Sequence, residues 1–245
     1  MKGYGWHLFE ALLQTRPHAF KKIWVQKQKS PSEKQALAAQ QLKAVGLTFE
    51  QSEKVALDKL AEGGVHQGVV FDFIPRDQIS EYEWFEKIQA DTSIPCVVLV
   101  LDGITDPQNF GAILRSAEGF GVTAVLVPQD KSATMTATTL KAASGATEHL
   151  DVVVVKNLAR SLEALKAARI WVWGTDLAQS ENLVGLKVPA RVAFVLGREG
   201  EGLRELTRKT CDQRVHIPLL GKGQSLNVSV ATGIFLYHYR TQHPK

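Results

Sequence analysis

From Cys96 to Leu196 the chain alternates short β-branched runs with amphipathic stretches. The runs CVVLVL (96–101), VTAVLV (122–127), DVVVV (151–155), IWVW (170–173) and VAFVL (192–196) are almost continuously apolar. Strands of that kind need cover on both faces, and the segments AILRSAEGF (112–120) and LARSLEALKAA (158–168) supply helices with one apolar side. The pattern predicts an α/β domain with a mostly parallel sheet, whose ligands gather beyond the carboxyl ends of the strands. Ahead of it the alternation is looser. HLFEALLQT (7–15) and SEKQALAAQQLKAVG (32–46) have helical spacing, whereas KKIWVQ (21–26) and GVVFDF (68–73) read as strands, giving a smaller α/β domain.

The 245 residues are 44% hydrophobic, enough for one good core and a second smaller one. Charge marks the boundary between them. Residues 1–75 carry a net +3, residues 76–95 a net −3 and residues 96–245 a net +4. The acidic segment lies between Pro75 and Pro95, so it is expected to be a linker with about one helical turn. In the first 30 residues six basic side chains face one acid, and Lys21, Lys22, Lys27 and Lys29 surround Trp24. That cluster suits a polyanion such as RNA, although a solvated charged face explains it equally well. The Gly-rich stretch GGVHQG (63–68) is expected to present His66 and Gln67, either as a plain loop or as a reader of RNA edges. Cys96 and Cys211 are far apart, with no CxxC or His-rich neighbourhood, so no disulfide framework or zinc site is expected. With no long apolar run or export signal, a cytoplasmic protein without a membrane span is expected.

Three post-strand segments carry the candidate chemistry. In DGITDPQNFGAILRSAEGFG (102–121), Arg115 shares a helix face with Gly111, Ala112, Glu118 and Gly119, while Phe110, Ile113, Leu114 and Ala117 form the apolar face. A guanidinium rising from small residues suits phosphate or a developing oxyanion. On that pattern alone an Arg115–Glu118 surface pair is the simpler account. In GREGEGL (197–203), three glycines suggest close backbone approach to a ligand. Their spacing is not that of a dinucleotide site, and Glu199 and Glu201 could equally be acids favoured near the start of a helix. In GQSLNVSVATG (223–233), Ser225 or Asn227 is placed to cap the last helix, which leaves the rest of the Ser-x-Asn-x-Ser pattern unexplained.

Together, NFGAILRSA, GREGEG and PLLGKGQSLNVSVA resemble, in order and spacing, the three motifs of the SpoU (TrmH-like) RNA 2′-O-methyltransferases of the SPOUT superfamily. GWHLFEALL and GVHQG resemble the substrate-binding domain of the subgroup that methylates a guanosine ribose in large-subunit ribosomal RNA. The resemblance implies a mostly parallel sheet with a C-terminal trefoil knot in residues 96–245, preceded by a small α/β RNA-binding domain in residues 1–75. It implies S-adenosylmethionine as methyl donor, held by backbone groups at Gly197, Ile217 and Leu226, and no metal. The family's catalytic set falls on Asn109, Arg115, Glu199, Ser225 and Asn227, all present here. Ribosomal RNA is the implied partner, and a homodimer the implied assembly. A transfer RNA methyltransferase of the same family, or a catalytically silent RNA-binding module, is the alternative. Trp6, Leu8 and Phe9 depart from the smaller residues common at that N-terminus. A guanidinium normally keeps its proton, so the role of Arg115 is open between general base and electrostatic stabiliser.

Overall fold

The computed structural model describes residues 1–177, 180–198, 200–221 and 225–244. The described chain divides into two units, residues 1–77 with 135–149, and residues 78–134 with 150–245.

The first unit runs β1 (Lys2–Tyr4), α1 (Trp6–Thr15), β2 (Phe20–Gln26), α2 (Glu33–Ala44), β3 (Glu50–Ser52), α3 (Lys54–Leu60) and β4 (Val69–Phe73). Its sheet order is β1-β4-β2-β3, with β4 antiparallel to both neighbours and β3 parallel to β2. Trp6, Leu8 and Phe9 are buried in this unit's core with Phe20, Phe71 and Phe73, so the departures at that N-terminus are accommodated as packing. α2 opens on a capping box in which Ser32 and Gln35 satisfy each other's backbone donors. The lysine cluster around Trp24 is partly paired, Lys22 with Glu50 at 2.9 Å and Lys27 with Glu53 at 3.5 Å, in exposed contacts of the kind that contribute little to stability.

The second unit opens with α4 (Glu81–Ala90), followed by β5 (Cys96–Leu101), α5 (Pro107–Gly119) and β6 (Ala124–Pro128). The expected linker is therefore mostly a ten-residue helix, and it is folded into a core. Trp84 is buried against Cys96 and Leu162, and Ser80 with Glu83 forms the capping box. Arg191, itself buried, donates to the carbonyls of Ile88, Asp91 and Ile94 and thereby satisfies orphan groups at the end of α4.

After β6 the chain returns to the first unit as α6 (Ala137–Ala143), where Leu140 packs into the core of Phe9 and Phe71. Glu148, whose side chain is buried, takes a two-point contact from Arg16, at 2.8 and 3.2 Å. The second unit then resumes with β7 (Asp151–Val155), α7 (Leu158–Ala167), β8 (Trp171–Thr175), β9 (Glu181–Asn182), β10 (Arg191–Leu196), α8 (Glu205–Thr210), β11 (Gln213–His216) and α9 (Val228–Gln242).

Its seven strands have the order β7-β6-β5-β10-β8-β11-β9, and every neighbouring pair is parallel. All six residues of β5 and of β10 are buried, which accounts for their lack of alternation. From β5 the chain steps outward to β6 and β7, then crosses over to β8, and β10 later fills the place between β5 and β8. This reversal is a topological switch point, where open parallel sheets leave a crevice at the strand ends.

Candidate active site

Four loops leave the carboxyl ends of β5, β8, β10 and β11 around the switch point. The loop after β5 leads into α5. Asp106 caps that helix by accepting from the Asn109 N–H at 2.7 Å, and Pro107 occupies the first turn, where a missing N–H costs nothing. Phe110, Ile113, Leu114 and Ala117 are buried as the helical projection requires. Arg115 is exposed on the opposite side, and among the described residues it has no ion-pair or hydrogen-bond partner, so the Arg115–Glu118 pair is not formed.

The loop after β10 folds back on itself. Arg198 and Gly202 exchange backbone hydrogen bonds at 3.1 and 2.9 Å, and Arg198 pairs with Glu201 at 3.0 Å. Gly197 sits inside this turn. A Cβ there would lie 2.5 Å from the Gly202 carbonyl oxygen and 2.6 Å from the Leu203 nitrogen, so no side chain fits without a backbone shift. The fully buried Asp102, one residue past β5, accepts from the Arg204 N–H at 2.9 Å and pairs with its guanidinium, tying two of the loops together. Glu199 lies outside the described residues.

The third motif enters α9. Asn227 is the N-cap, its Oδ1 accepting from the N–H groups of Ser229 and Val230 and from the Ser229 hydroxyl. Its Nδ2 donates to Asn109 Oδ1 at 2.8 Å, joining two residues 118 positions apart. One asparagine thus caps a helix and orients the side chain of another. Asn227→Ala should cost about 1–2 kcal/mol through loss of the cap and leave Asn109 without this donor, a destabilisation readable by thermal melting. A melting temperature equal to that of the wild type would rule out the capping role.

Next to this pair is a cavity of about 310 Å³ within the second unit. Gly197, Ile217, Leu226 and Ser225 all border it. Arg115 and Asn109 are not part of its lining. Sequence reasoning passed over Thr175, Asp176 and Leu177, which also line it and follow β8 just as the three motif segments follow their own strands. Asp176 is held by Arg208, at 2.6 Å. The volume is at the lower end of the range of about 300–1,000 Å³ usual for small-molecule sites. Leu196, Ile217, Leu226 and Phe235 give it apolar walls, while Asp176 and Glu201 add carboxylates. Both carboxylates are ion-paired, Asp176 with Arg208 and Glu201 with Arg198, so apolar walls interspersed with polar groups fit an amphipathic ligand with a flat ring, as S-adenosylmethionine is. Among the described residues no group of side chains could hold a metal ion.

The parallel sheet and its switch-point cavity, bordered by the second and third motifs, lie within residues 96–237, which match the description of the SpoU rRNA Methylase family; the chain belongs to that family. Residues 4–78 match the description RNA 2′-O ribose methyltransferase substrate binding. The chain is 42% identical over 234 residues to the 23S rRNA (guanosine-2′-O-)-methyltransferase RlmB of Yersinia pestis, covering 96% of this chain and 94% of that protein. It is 43% identical over 239 residues to the protein of the same name from Pseudomonas putida, with the same coverage. Among solved structures, the SpoU methyltransferase AviRb from Streptomyces viridochromogenes in complex with AdoMet superposes with a TM-score of 0.77 at 22% identity, covering 99% of this chain and 89% of that one. An RNA 2′-O ribose methyltransferase superposes at 0.79, also at 22% identity, with 99% and 88% covered. At that identity the likeness is one of fold.

Proposed function

We propose that this chain transfers the methyl group of S-adenosylmethionine to the ribose 2′-hydroxyl of a guanosine in 23S ribosomal RNA. The observation that carries the reading is the 2.8 Å hydrogen bond between Asn227 and Asn109, with Asn227 falling in the chain between Leu226 and Val228, which both line the cavity bordered also by Gly197, Ile217 and Ser225. When bound there, S-adenosylmethionine supplies an electrophilic methyl group. The backbone at Gly197, Ile217 and Leu226 holds the donor. The linked carboxamides of Asn109 and Asn227, with the Ser225 hydroxyl, hold the acceptor ribose in line, since displacement needs the reacting atoms at about 3 Å. As the 2′-oxygen takes the methyl group, S-adenosylhomocysteine is the leaving thioether and one proton is released. Arg115 presents its guanidinium to that oxygen, either offsetting the developing negative charge while the proton passes to water or, when unprotonated, taking the proton itself. Glu199 positions the ribose or Arg115.

Mass-spectrometric mapping of ribose methylation tests the reading, using 23S and transfer RNA from cells with and without the protein and 23S rRNA treated with the purified chain. Loss and restoration of one 2′-O-methylguanosine in 23S rRNA is expected. Restoration in transfer RNA alone, or methylation of neither, would overturn it.

The reading includes a homodimer acting in the cytoplasm. Val230 and Tyr237 lie two turns apart on one face of α9 and are 52% and 63% exposed, more apolar surface than a helix end facing water requires. A second copy packed on that face covers both. Sedimentation at micromolar concentration should give a dimer, and Tyr237→Asp should dissociate it; a fully active wild-type monomer would refute this assembly. No helix among the described residues is long and apolar enough to cross a membrane.

A further inference from the structure

The turn between α3 and β4 is held more tightly than a surface connection needs to be. His66, expected to point outward, is 5% exposed and faces inward. Its Nδ1 accepts from the Gly68 N–H at 2.9 Å, which leaves the ring proton on Nε2, where it is donated to Asp58 Oδ1 at 3.0 Å. Hydrogen bonds from Lys54 first, and also from His66, hold the Asp58 carboxyl below its ordinary value, so the acceptor is a carboxylate. Trp6 Nε1 donates to the Gln67 carbonyl at 2.9 Å, and Lys141 Nζ donates to the Val65 carbonyl. Gly64 is pressed against the Tyr4 ring, where a Cβ would meet the phenol oxygen at 2.5 Å.

With the carbonyls of residues 65 and 67 and the N–H of Gly68 satisfied internally, what the turn offers outward is two side chains. Val65 is 72% exposed. Gln67 is exposed, its carboxamide has no hydrogen-bond partner among the described residues, and its backbone is held at φ 56°, a conformation uncommon for a residue with a Cβ. An apolar surface beside a carboxamide that can donate and accept together matches the face and edge of an unstacked base. Charge at the same end of the sheet is suitable too. Gln26 N donates to the Gly68 carbonyl at 2.8 Å, so Lys27 and Lys29 leave β2 beside the turn, and Lys29 has no acidic partner among the described residues. Backbone phosphates flanking the base would meet them.

We propose that the turn Gly63–Gly68 is a preformed base reader, in which Val65 packs on, and the Gln67 carboxamide hydrogen-bonds to, a base of the RNA substrate other than the methyl-accepting guanosine. His66 is its positioning residue. That the base is a different one is part of the proposal, which rests on the rRNA methyltransferase reading above.

The test uses the full chain with in vitro transcribed 23S rRNA, measuring KM and kcat for methylation, S-adenosylmethionine affinity, and base protection from chemical probes without donor. Gln67→Gly relieves the left-handed backbone and removes the carboxamide, so the fold should survive. We expect its KM for RNA to rise about tenfold or more with kcat and donor affinity retained, and one base away from the methylated guanosine to lose protection. Val65→Ser and His66→Ala should do the same. His66→Gln, whose carboxamide can accept from Gly68 and donate to Asp58, should restore much of the affinity. Wild-type KM and protection in both Gln67→Gly and Val65→Ser would overturn the proposal, as would a raised KM with every base still protected. Absence of methylation by the wild-type chain would instead sink the activity reading, and is recorded separately from the protection pattern.

Discussion

Arg115→Ala should lower the single-turnover rate of methyl transfer at least about 100-fold while leaving S-adenosylmethionine affinity unchanged. Loss of one preorganised charge donor at a developing oxyanion costs about 10²–10³ in rate. Two features of the structure separate that role from donor binding. Arg115 lies outside the lining of the donor cavity, and it spends none of its hydrogen-bonding capacity on the described protein. An exposed arginine with no partner contributes little to stability, so its removal should not disturb the fold. Arg115→Lys then distinguishes the two chemical roles. A lysine can lose its proton when desolvated, so a recovered rate with a shifted pH profile points to proton transfer. No recovery points to the forked geometry of the guanidinium. A normal single-turnover rate in Arg115→Ala would remove this residue from the chemistry altogether.

Gly197→Ala should cost about ten- to a hundredfold in donor affinity with RNA affinity retained. The added methyl would fall 2.5 Å from the Gly202 carbonyl oxygen and 2.6 Å from the Leu203 nitrogen, against backbone that cannot swing away as a flexible side chain does. Overpacking of that kind costs about 1–3 kcal/mol. The cheapest relief is to open the paired turn between Arg198 and Gly202, which borders the cavity. Calorimetric titration with S-adenosylhomocysteine measures the loss, and a thermal melt separates local opening from global unfolding. Wild-type affinity would mean that the turn absorbs the methyl and that the cavity wall is softer than its geometry suggests.

Much of the second unit was legible because its strands leave little choice. CVVLVL and DVVVV coincide with β5 and β7: β5 is buried along its whole length and carries no competing period, and β7, although an edge strand with Val154 exposed, is an unbroken β-branched run. β3, with the sequence EQS, has no apolar signal; its strand character comes from pairing with Trp24–Gln26 on β2. α4 was underestimated even though Ser80 and Glu83 spell a capping box, because the acidic surroundings and flanking prolines suggested a linker, while the burial of Trp84 depends on partners far along the chain. His66 shows the opposite difficulty. Its loop was evident, yet the inward direction of the ring depends on Asp58 and Gly68 together. At the site, the motif spacing brought out both Asn109 and Asn227. That one should hydrogen-bond the other while capping a helix is a property of the switch-point crossing, which strand periodicity does not encode.

The excursion of residues 135–149 into the first unit has a consequence for how the protein is made. A chain emerging from the ribosome releases residues 1–77 first, but the core of Phe9 and Phe71 is not closed until Leu140 arrives, and Arg16 has no carboxylate until Glu148 follows. While β5, α5 and β6 are being synthesised, the first unit waits with an uncovered apolar surface, at an elongation rate of about 5–20 residues per second. The amino-terminal unit is therefore finished only when residue 149 has emerged, not residue 77, and a fragment cut at residue 77 is an interrupted folding intermediate rather than a portable module.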